Sequence, residues 1–415
     1  MTDRLLLAVD APSLLHRNHH ARVDSGLRDA SGRPVWALHG MLRQILEAID
    51  QFAPDAVLFG IDDRRRSVRE QAYPAYKAGR AEKDADLVDQ LDRAADLLDA
   101  LGLLTVTPDG LEADDVNASA ATWAERHGWR CVLITSDRDA FAHISDTTQV
   151  LRLITGGING SPLLNPARLR AMYGVAPHHY LDFAALRGDA SDNLPGVPGI
   201  GEKTAPVLLE LMGSMQAVWA DIEHTGGATL VATIDSWCEE TGARRMGASL
   251  LKKLTAEGAR ERFDFNLAMM SGRTDLDLGL TPDEPGTPGL LPLDPERVMR
   301  VVGYLGVPAT TDLALRVLTE APASQAPVPI RMSGEGITLP VDLEIPDDLR
   351  DRLRAWVAAD AGVDHDHAGY GLSRELAAVL TGPYVVDYRP STSGVHLGEL
   401  RRRALTEPLP RWRVR

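Results

Sequence analysis

The chain has 415 residues, of which 44% are apolar, and 59 acidic against 44 basic residues leave a formal net charge of −15. That apolar share supplies a packed core and excludes a disordered or low-complexity chain, while the length suits two or three domains. The cysteines, Cys131 and Cys238, form neither a disulfide framework nor a Cys/His zinc spacing, so any metal must be held by oxygen.

The run Leu5 to Val9 is too short for a signal segment, and no later apolar run reaches membrane-spanning length. A soluble, cytoplasmic, monomeric protein without membrane contact is the expectation. An acidic total argues at first sight against nucleic acid. Its distribution matters more, because carboxylates meant for divalent cations lower the formal sum. Basic residues are bunched at Arg64, Arg65, Arg66 and Arg69, at Lys77, Arg80 and Lys83, and from Arg401 to Arg415.

In chain order, Leu5 to Asp10 is a short apolar run ending in an acid, which predicts a buried parallel strand with a carboxylate at its C-terminal end. Ligand sites of open α/β sheets lie at that edge. Trp36 to Phe52 carries apolar residues at helical spacing, and Ala56 to Asp62 repeats the strand-plus-acid pattern. Residues 63–86 are charged, lack an apolar stripe and read as an exposed, mobile connection. A helix over 87–101 and a strand near 103–106 follow. Glu112 and Asp115 lie one helical turn apart at a helix start, where Asp114 also fits electrostatically. Cys131 to Asp139 is a third strand closing on acids, Asp137 and Asp139.

The stretch from Gly188 to Ala205 joins two chemistries. Asp189 and Asp192, three residues apart, can face one hard cation such as Mg²⁺. Gly199 and Gly201 leave the backbone bare before Lys203 and a helix, so main-chain N–H groups can approach a phosphate. Each acid alone reads as a solvated turn residue; their recurrence at successive strand ends points to one metal-bearing edge.

Residues 4 to 318 resemble the bacterial 5′ nuclease (flap endonuclease) family, which includes the 5′–3′ exonuclease domain of DNA polymerase I. The matching segments are Val9-Asp10, Phe59 to Asp62, Tyr73 to Arg80, Leu111 to Asp115, Thr135 to Asp139 and Gly188 to Ala205. The resemblance implies an α/β fold: a PIN-like parallel sheet with flanking helices, followed by a helical helix-three-turn-helix region with a DNA-binding hairpin and a small C-terminal module. It implies a first metal site of Asp10, Asp62, Glu112 and Asp114 with Asp115 nearby, and a second of Asp137, Asp139, Asp189 and Asp192. It places Lys77 and Arg80 in an arch passed by a 5′ single strand, and K⁺ at the hairpin. DNA contacts are expected from Arg17, Arg69, Tyr76, Gly196, Gly199, Gly201, Lys203 and Thr204.

The expected reaction is phosphodiester hydrolysis with two Mg²⁺ ions, or Mn²⁺, roughly 4 Å apart activating water and neutralising the phosphate. DNA with 5′ ends, flaps or nicks is the expected substrate, with RNA–DNA hybrids also admitted. Lys77 adds positive charge beside the reacting phosphate. His16 and His19 stand where the family has tyrosine and phenylalanine, so they either stack a 5′ nucleotide or simply line its pocket. Arg138 replaces a lysine, and Gly60-Ile61 precedes Asp62 where the pattern is apolar-Phe. A PIN-like ribonuclease and a non-catalytic junction binder are the competing readings.

Expected domains are residues 1–163 (nuclease, arch near 63–86), 164–320 (DNA-binding), 321–332 (Pro-rich linker) and 333–415 (a module of unassigned role). Helices are predicted at 207–212, 215–222, 256–270, 294–305 and 311–318, with 225–247 unassigned. In the module, Leu349, Leu353, Trp356 and Val357 form one helix stripe and Leu372 to Leu380 another. The arginine-rich end reads as a nucleic-acid or partner contact, or as a solvated tail.

Overall fold

Apolar β-branched and leucine-rich runs build β1 (Leu5–Asp10), β2 (Ala56–Gly60), β3 (Leu104–Val106), β4 (Arg130–Thr135) and β5 (Thr148–Arg152), closed by β6 (Leu163–Leu164). In the computed structural model, which describes residues 4–284, 286–319, 328–333, 336–337, 347–358, 363–379, 384–389 and 412–414, they form one sheet in the order β3-β2-β1-β4-β5-β6. β1 to β5 run parallel and β6 is antiparallel at the edge. Every residue of β1 and β2 is buried, as expected of central parallel strands. The chain leaves β1 towards β2 and β3 and later returns to β4 on the other side. That reversal opens the ligand-binding crevice of such sheets beyond the strand C-termini.

Five helices punctuate this half: α1 (Ala11–Arg22), α2 (Trp36–Phe52), α3 (Val68–Ala72), α4 (Ala85–Leu101) and α5 (Ala113–Arg126). The predicted stripe of α2 is buried from Trp36 through Ile49. Within residues 63–86 the expected exposed connection is corrected: α3 forms there, Asp63 is buried, and Tyr76 is 4% exposed. Two aromatic rings, buried Tyr76 and Tyr73 packed edge-on to Phe265, and a few ion pairs fasten this stretch, which is why no apolar stripe announced it.

After α6 (Gly157–Gly160) come α7 (Pro166–Tyr173), α8 (Pro177–Arg187), the two-stranded ribbon β7 (Gly188–Asp189) and β8 (Leu194–Pro195), and α9 (Ala205–Met212). Then follow α10 (Met215–Thr225), α11 (Ala228–Thr241), α12 (Gly247–Leu254), α13 (Ala259–Met270), α14 (Pro295–Gly303) and α15 (Pro308–Thr319). α11 fills the interval left unassigned by sequence; Leu230, Ile234 and Cys238 give it a narrow buried stripe one residue wide. One apolar core runs from Leu6 and Leu133 of the sheet through Phe141, Tyr180 and Phe183 to Ile234, Leu250 and Phe263. Sheet and helical region therefore share a core and belong to one unit, residues 1–154 with 163–322.

The second unit comprises residues 155–162 and 323–415. Its sheet has the order β10-β9-β11-β12, from β9 (Val328–Ser333), β10 (Gly336–Ile337), β11 (Tyr384–Arg389) and β12 (Trp412–Val414). Its helices are α16 (Asp347–Val357) and α17 (Val363–Val379). Leu349, Leu353 and Trp356 are buried as predicted, but Val357 is exposed. Two expectations change. Residues 321–327 of the linker lie outside the described residues, and its remainder belongs to β9. β10 pairs only with Met332 and Ser333, so among the described residues β9 has an open side at Pro329, where a missing N–H is tolerated. At the arginine-rich end, Trp412–Val414 pairs in parallel with β11, and residues 401–411 lie outside the described residues. Among the described residues no helix is long and apolar enough to cross a membrane.

Candidate active site

Asp10 ends β1 and caps α1, its Oδ1 accepting from Ser13 N–H at 2.9 Å and its Oδ2 from the Thr135 hydroxyl at 2.7 Å. Thr135 ends β4, so neighbouring strand ends hold this carboxylate from two sides. Beside it Gly60 ends β2. A Cβ there would stand 2.8 Å from the Ala113 carbonyl oxygen and 3.1 Å from Val116, so glycine lets the start of α5 close onto the sheet. This explains the departure from the expected apolar residue. The approach lets Ala113 N–H donate to Asp62 Oδ1 at 2.9 Å and brings Glu112 and Asp114 to the same edge, at a helix N-terminus that favours negative charge.

Beyond β4 a tight turn presents the next acids: Thr135 Oγ1 accepts from Asp137 N–H and Asp137 Oδ1 from Asp139 N–H, both at 2.9 Å. The ribbon β7–β8 supplies Asp189 and Asp192. Gly188 has φ +78°, and a Cβ on it would lie 2.3 Å from Gly196 N; one on Gly196 would lie 2.1 Å from Arg187 O. The two glycines let the chain cross itself at the end of α8. Asn193 Nδ2 then donates to Ala75 O at 2.9 Å and Lys77 N–H to Asp192 O at 3.2 Å, fastening the Tyr73–Arg80 turn to this loop.

The acids perturb one another. Burial, then Asp62, raise the Asp10 carboxyl to about 7. Burial and Asp137 hold Asp114 well above the carboxylate range, and burial, Asp137, Asp189 and Asp192 do the same to Asp139. Asp62 and Asp137 are also raised, mainly by burial. Asp139 Oδ1 is buried with no hydrogen-bond partner among the described residues. Such packed, oxygen-only negative charge fits a hard divalent cation in donor type and sign. Among the described residues no three acidic, histidine or cysteine side chains converge tightly enough to grip one ion in this arrangement. Like charges spread, and several turn to local donors: Lys77 Nζ donates to Glu112 Oε1 at 2.7 Å and Arg80 to Asp192 Oδ1 at 2.6 Å. Lys77 has φ +57°, an uncommon backbone conformation for a side-chain-bearing residue, and its ammonium lies 4.7 Å from the Tyr76 ring centre.

Several expected roles change. Asp115 is fully buried and turned away from the other acids: its oxygens take Arg69 Nη1 and Nη2 at 2.7 and 2.9 Å, Arg273 N–H at 2.9 Å and Glu112 N–H at 3.0 Å. Arg69 also donates to Met269 O at 3.0 Å, so in this structure its guanidinium is held by the protein. Tyr76 is buried, with its hydroxyl on Glu112 Oε2 at 3.0 Å. Gly196 serves the chain crossing. His19 is buried against Trp36, ring centres 5.6 Å apart, which leaves it no stacking face. Burial and then Lys83 push His16 down to about 4. Arg17 is half-buried on α1.

At the hairpin, a Cβ on Gly201 would meet only open space, and the Gly201 N–H donates to Thr204 Oγ1 at 3.2 Å, while Lys203 is exposed. Gly199 differs: Lys253 Nζ donates to its carbonyl at 2.9 Å, a cation placed on the turn by α12. Sequence reading missed Lys253, Asn117 and His143, and had Thr135 only as the start of a matching segment. Lys253 had no signal, since a lone lysine looks like any other.

The 5′-3′ exonuclease N-terminal, resolvase-like domain model matches residues 5–174, and the 5′-3′ exonuclease C-terminal SAM-fold model matches residues 175–279. The chain belongs to the 5′-3′ exonuclease family. It is 41% identical over 219 residues to the thermostable DNA polymerase I of Thermus aquaticus, covering 53% of this chain and 25% of the polymerase. To that of Thermus thermophilus it is 33% identical over 361 residues, covering 87% of this chain and 39% of the polymerase. The chain thus spans well under half the length of these curated relatives. A solved structure of T5 5′-exonuclease with bound zinc aligns with a TM-score of 0.47 and 19% identity, covering 76% of this chain and 98% of that one.

Proposed function

We propose that this family member is a divalent-metal-dependent 5′–3′ exonuclease and 5′-flap endonuclease acting on DNA. The observation that carries the reading is the set of buried and half-buried carboxylates gathered from three strand ends, one helix start and the β7–β8 ribbon; among them Asp10, Asp62, Asp114, Asp137 and Asp139 are held above the usual carboxylate range, while Lys77 and Arg80 lean on Glu112 and Asp192. Asp10, Asp62, Glu112 and Asp114 form one proposed ligand group and Asp137, Asp139, Asp189 and Asp192 the other; Asp115 orients Arg69 and the start of α5. When bound, Mg²⁺ or Mn²⁺ supplies an activated water and charge neutralisation at phosphorus.

The chain's own residues do the rest. Thr135 and Ser13 aim Asp10, and Asp137 aims the Asp139 backbone. Lys77 and Arg80, which rest on Glu112 and Asp192, would face the reacting phosphate and stabilise its developing charge. Exposed Lys203 offers its positive charge to the duplex backbone at the start of α9, and the bare Gly201 leaves room for that backbone to approach. At the hairpin, the Lys253 ammonium already occupies the Gly199 carbonyl, so K⁺ binding there requires sharing or displacing it. Comparing K⁺-dependent duplex binding of the parent and Lys253→Met separates the two cations.

The deciding test is Mg²⁺- and Mn²⁺-dependent cleavage of a 5′-flap DNA beside single-stranded RNA. Flap cleavage without RNA cleavage is the expected result. RNA cleavage alone would make the chain a ribonuclease, and tight flap binding without cleavage a junction binder. A cytoplasmic, monomeric protein is part of the same proposal.

A further inference from the structure

The cavity that Glu112, Asp114, Asp139 and Asp192 of the acid cluster help to line also holds polar atoms that no described group satisfies. Asn117, on α5, is 1% exposed, and both its amide nitrogen and its amide oxygen are buried without a hydrogen-bond partner. Across the same cavity Asp139 Oδ1 is likewise buried and unpartnered. The lining includes these two side chains with His143, Met269 and Gly272, and about 20 Å³ of it is open to the centre of a water molecule. That is room for one water, and buried polar groups of this kind are ordinarily bridged by one.

The neighbourhood is otherwise well satisfied. Two residues along α5, Ser119 donates to Arg273 O at 2.8 Å and accepts from Leu276 N–H at 3.2 Å. Asn117 has no such partners. Gly272 keeps the cavity open: a Cβ there would stand 2.8 Å from the Ala118 Cβ and 3.6 Å from His143 Nε2.

We propose that Asn117, Asp139 and His143 enclose a built-in solvent site, and that Asn117 is a positioning residue which orients the Asp139 carboxylate through the bound water. Its amide N–H donates to the water, and the water donates to Asp139 Oδ1, leaving the other carboxylate oxygen for the cluster. Outer partners of ligating carboxylates are worth about 10–100-fold in metal affinity or activity. The role of Asn117 rests on the proposed function; the solvent site itself does not.

Two measurements decide it. In a crystal structure of the full chain, ordered solvent is expected within hydrogen-bonding distance of Asn117 Nδ2 and Asp139 Oδ1, and its absence overturns the proposal whatever the protein cleaves. In calorimetric titration with Mn²⁺, Asn117→Leu, close in size but unable to hold the water, is expected to bind about tenfold more weakly. Its single-turnover rate at saturating Mn²⁺ should stay near the parent's, since the effect is on placement of the ligand. Asn117→Val repeats the measurement should the leucine variant fail to fold, and Asn117→Ser, which keeps a polar group, should recover affinity. Parent-like Mn²⁺ affinity in a folded apolar variant overturns the positioning role. A parent that binds no Mn²⁺ at all overturns the proposed function and the positioning role together, with the solvent site still judged by its density.

Discussion

Arg69 and Asp115 meet in a two-pronged ion pair at 2.7 and 2.9 Å, with the Asp115 side chain fully buried and that of Arg69 12% exposed. The pair joins α3, α5 and the chain after α13. Removing one partner of a buried pair strands the other charge, so Asp115→Ala is expected to lose about 3–5 kcal/mol of stability, read by urea unfolding. Burial opposes the Asp115 charge, but the Arg69 bonds prevail and hold its carboxyl below the usual range. This contribution is present above the unfolded pKa and fades as pH falls below it. An unchanged midpoint would remove the anchoring role.

Asp10 of the acid cluster has the opposite sign. Asp10 rises from 3.8 to about 7, first through burial and then through Asp62. Between those values the folded chain keeps a proton that the unfolded chain has released, so stability falls as pH rises across this window. Melting temperature in chelator should therefore decline from pH 4 to 7, and saturating Mg²⁺ should flatten the decline. Parallel curves with and without Mg²⁺ would show that the cluster takes up no cation.

Asp137→Ala and Asp192→Ala are each expected to abolish flap cleavage while flap binding persists, because each removes a proposed ligand and some negative charge. Asp137→Ala should also stabilise the chelated protein by relieving Asp114 and Asp139, which it now opposes. Mg²⁺-dependent cleavage at the parent rate by both variants would sink the ligand assignment.

Lys77→Ala is expected to slow single-turnover cleavage by roughly a hundredfold, the scale of one electrostatic transition-state contact, with a smaller change in binding. Its ammonium now rests on Glu112, so the variant also bares that carboxylate. An unchanged rate would reduce Lys77 to a fastening of the turn.

Removal of everything after Leu318 is expected to leave a folded unit that cleaves, because its core runs from Leu6 to Leu280. Circular dichroism and flap cleavage check this. Residues 155–162 group with the second unit, so new proteolytic sensitivity should appear there. Loss of folding would place essential packing in residues 319–415.

The sheet and its acids were legible because β1, β2 and β4 each write a strand as an apolar run and its end as a carboxylate. The partners of Arg69 and Tyr76 were not legible, because a basic or aromatic residue in a charged stretch looks free until Asp115 and Glu112 are brought from elsewhere in the chain. α11 escaped because threonines and acidic residues dilute a stripe only one residue wide. Asn117 was invisible for a related reason. An asparagine on an alanine-rich helix reads as a solvated position, and only its burial across from the Asp139 turn shows that open solvent does not reach it.

The loop of Asp189 and Asp192 braces the Tyr73–Arg80 turn through Ala75 and Lys77. A ribosome delivers that brace more than a hundred residues after the turn it supports and some fifty after the last strand-end acid. A chain released early holds Asp10 through Asp139 but neither the closing acids nor a seated Lys77. The closing acids and the seat of Lys77 are thus completed together, by one late segment of the chain.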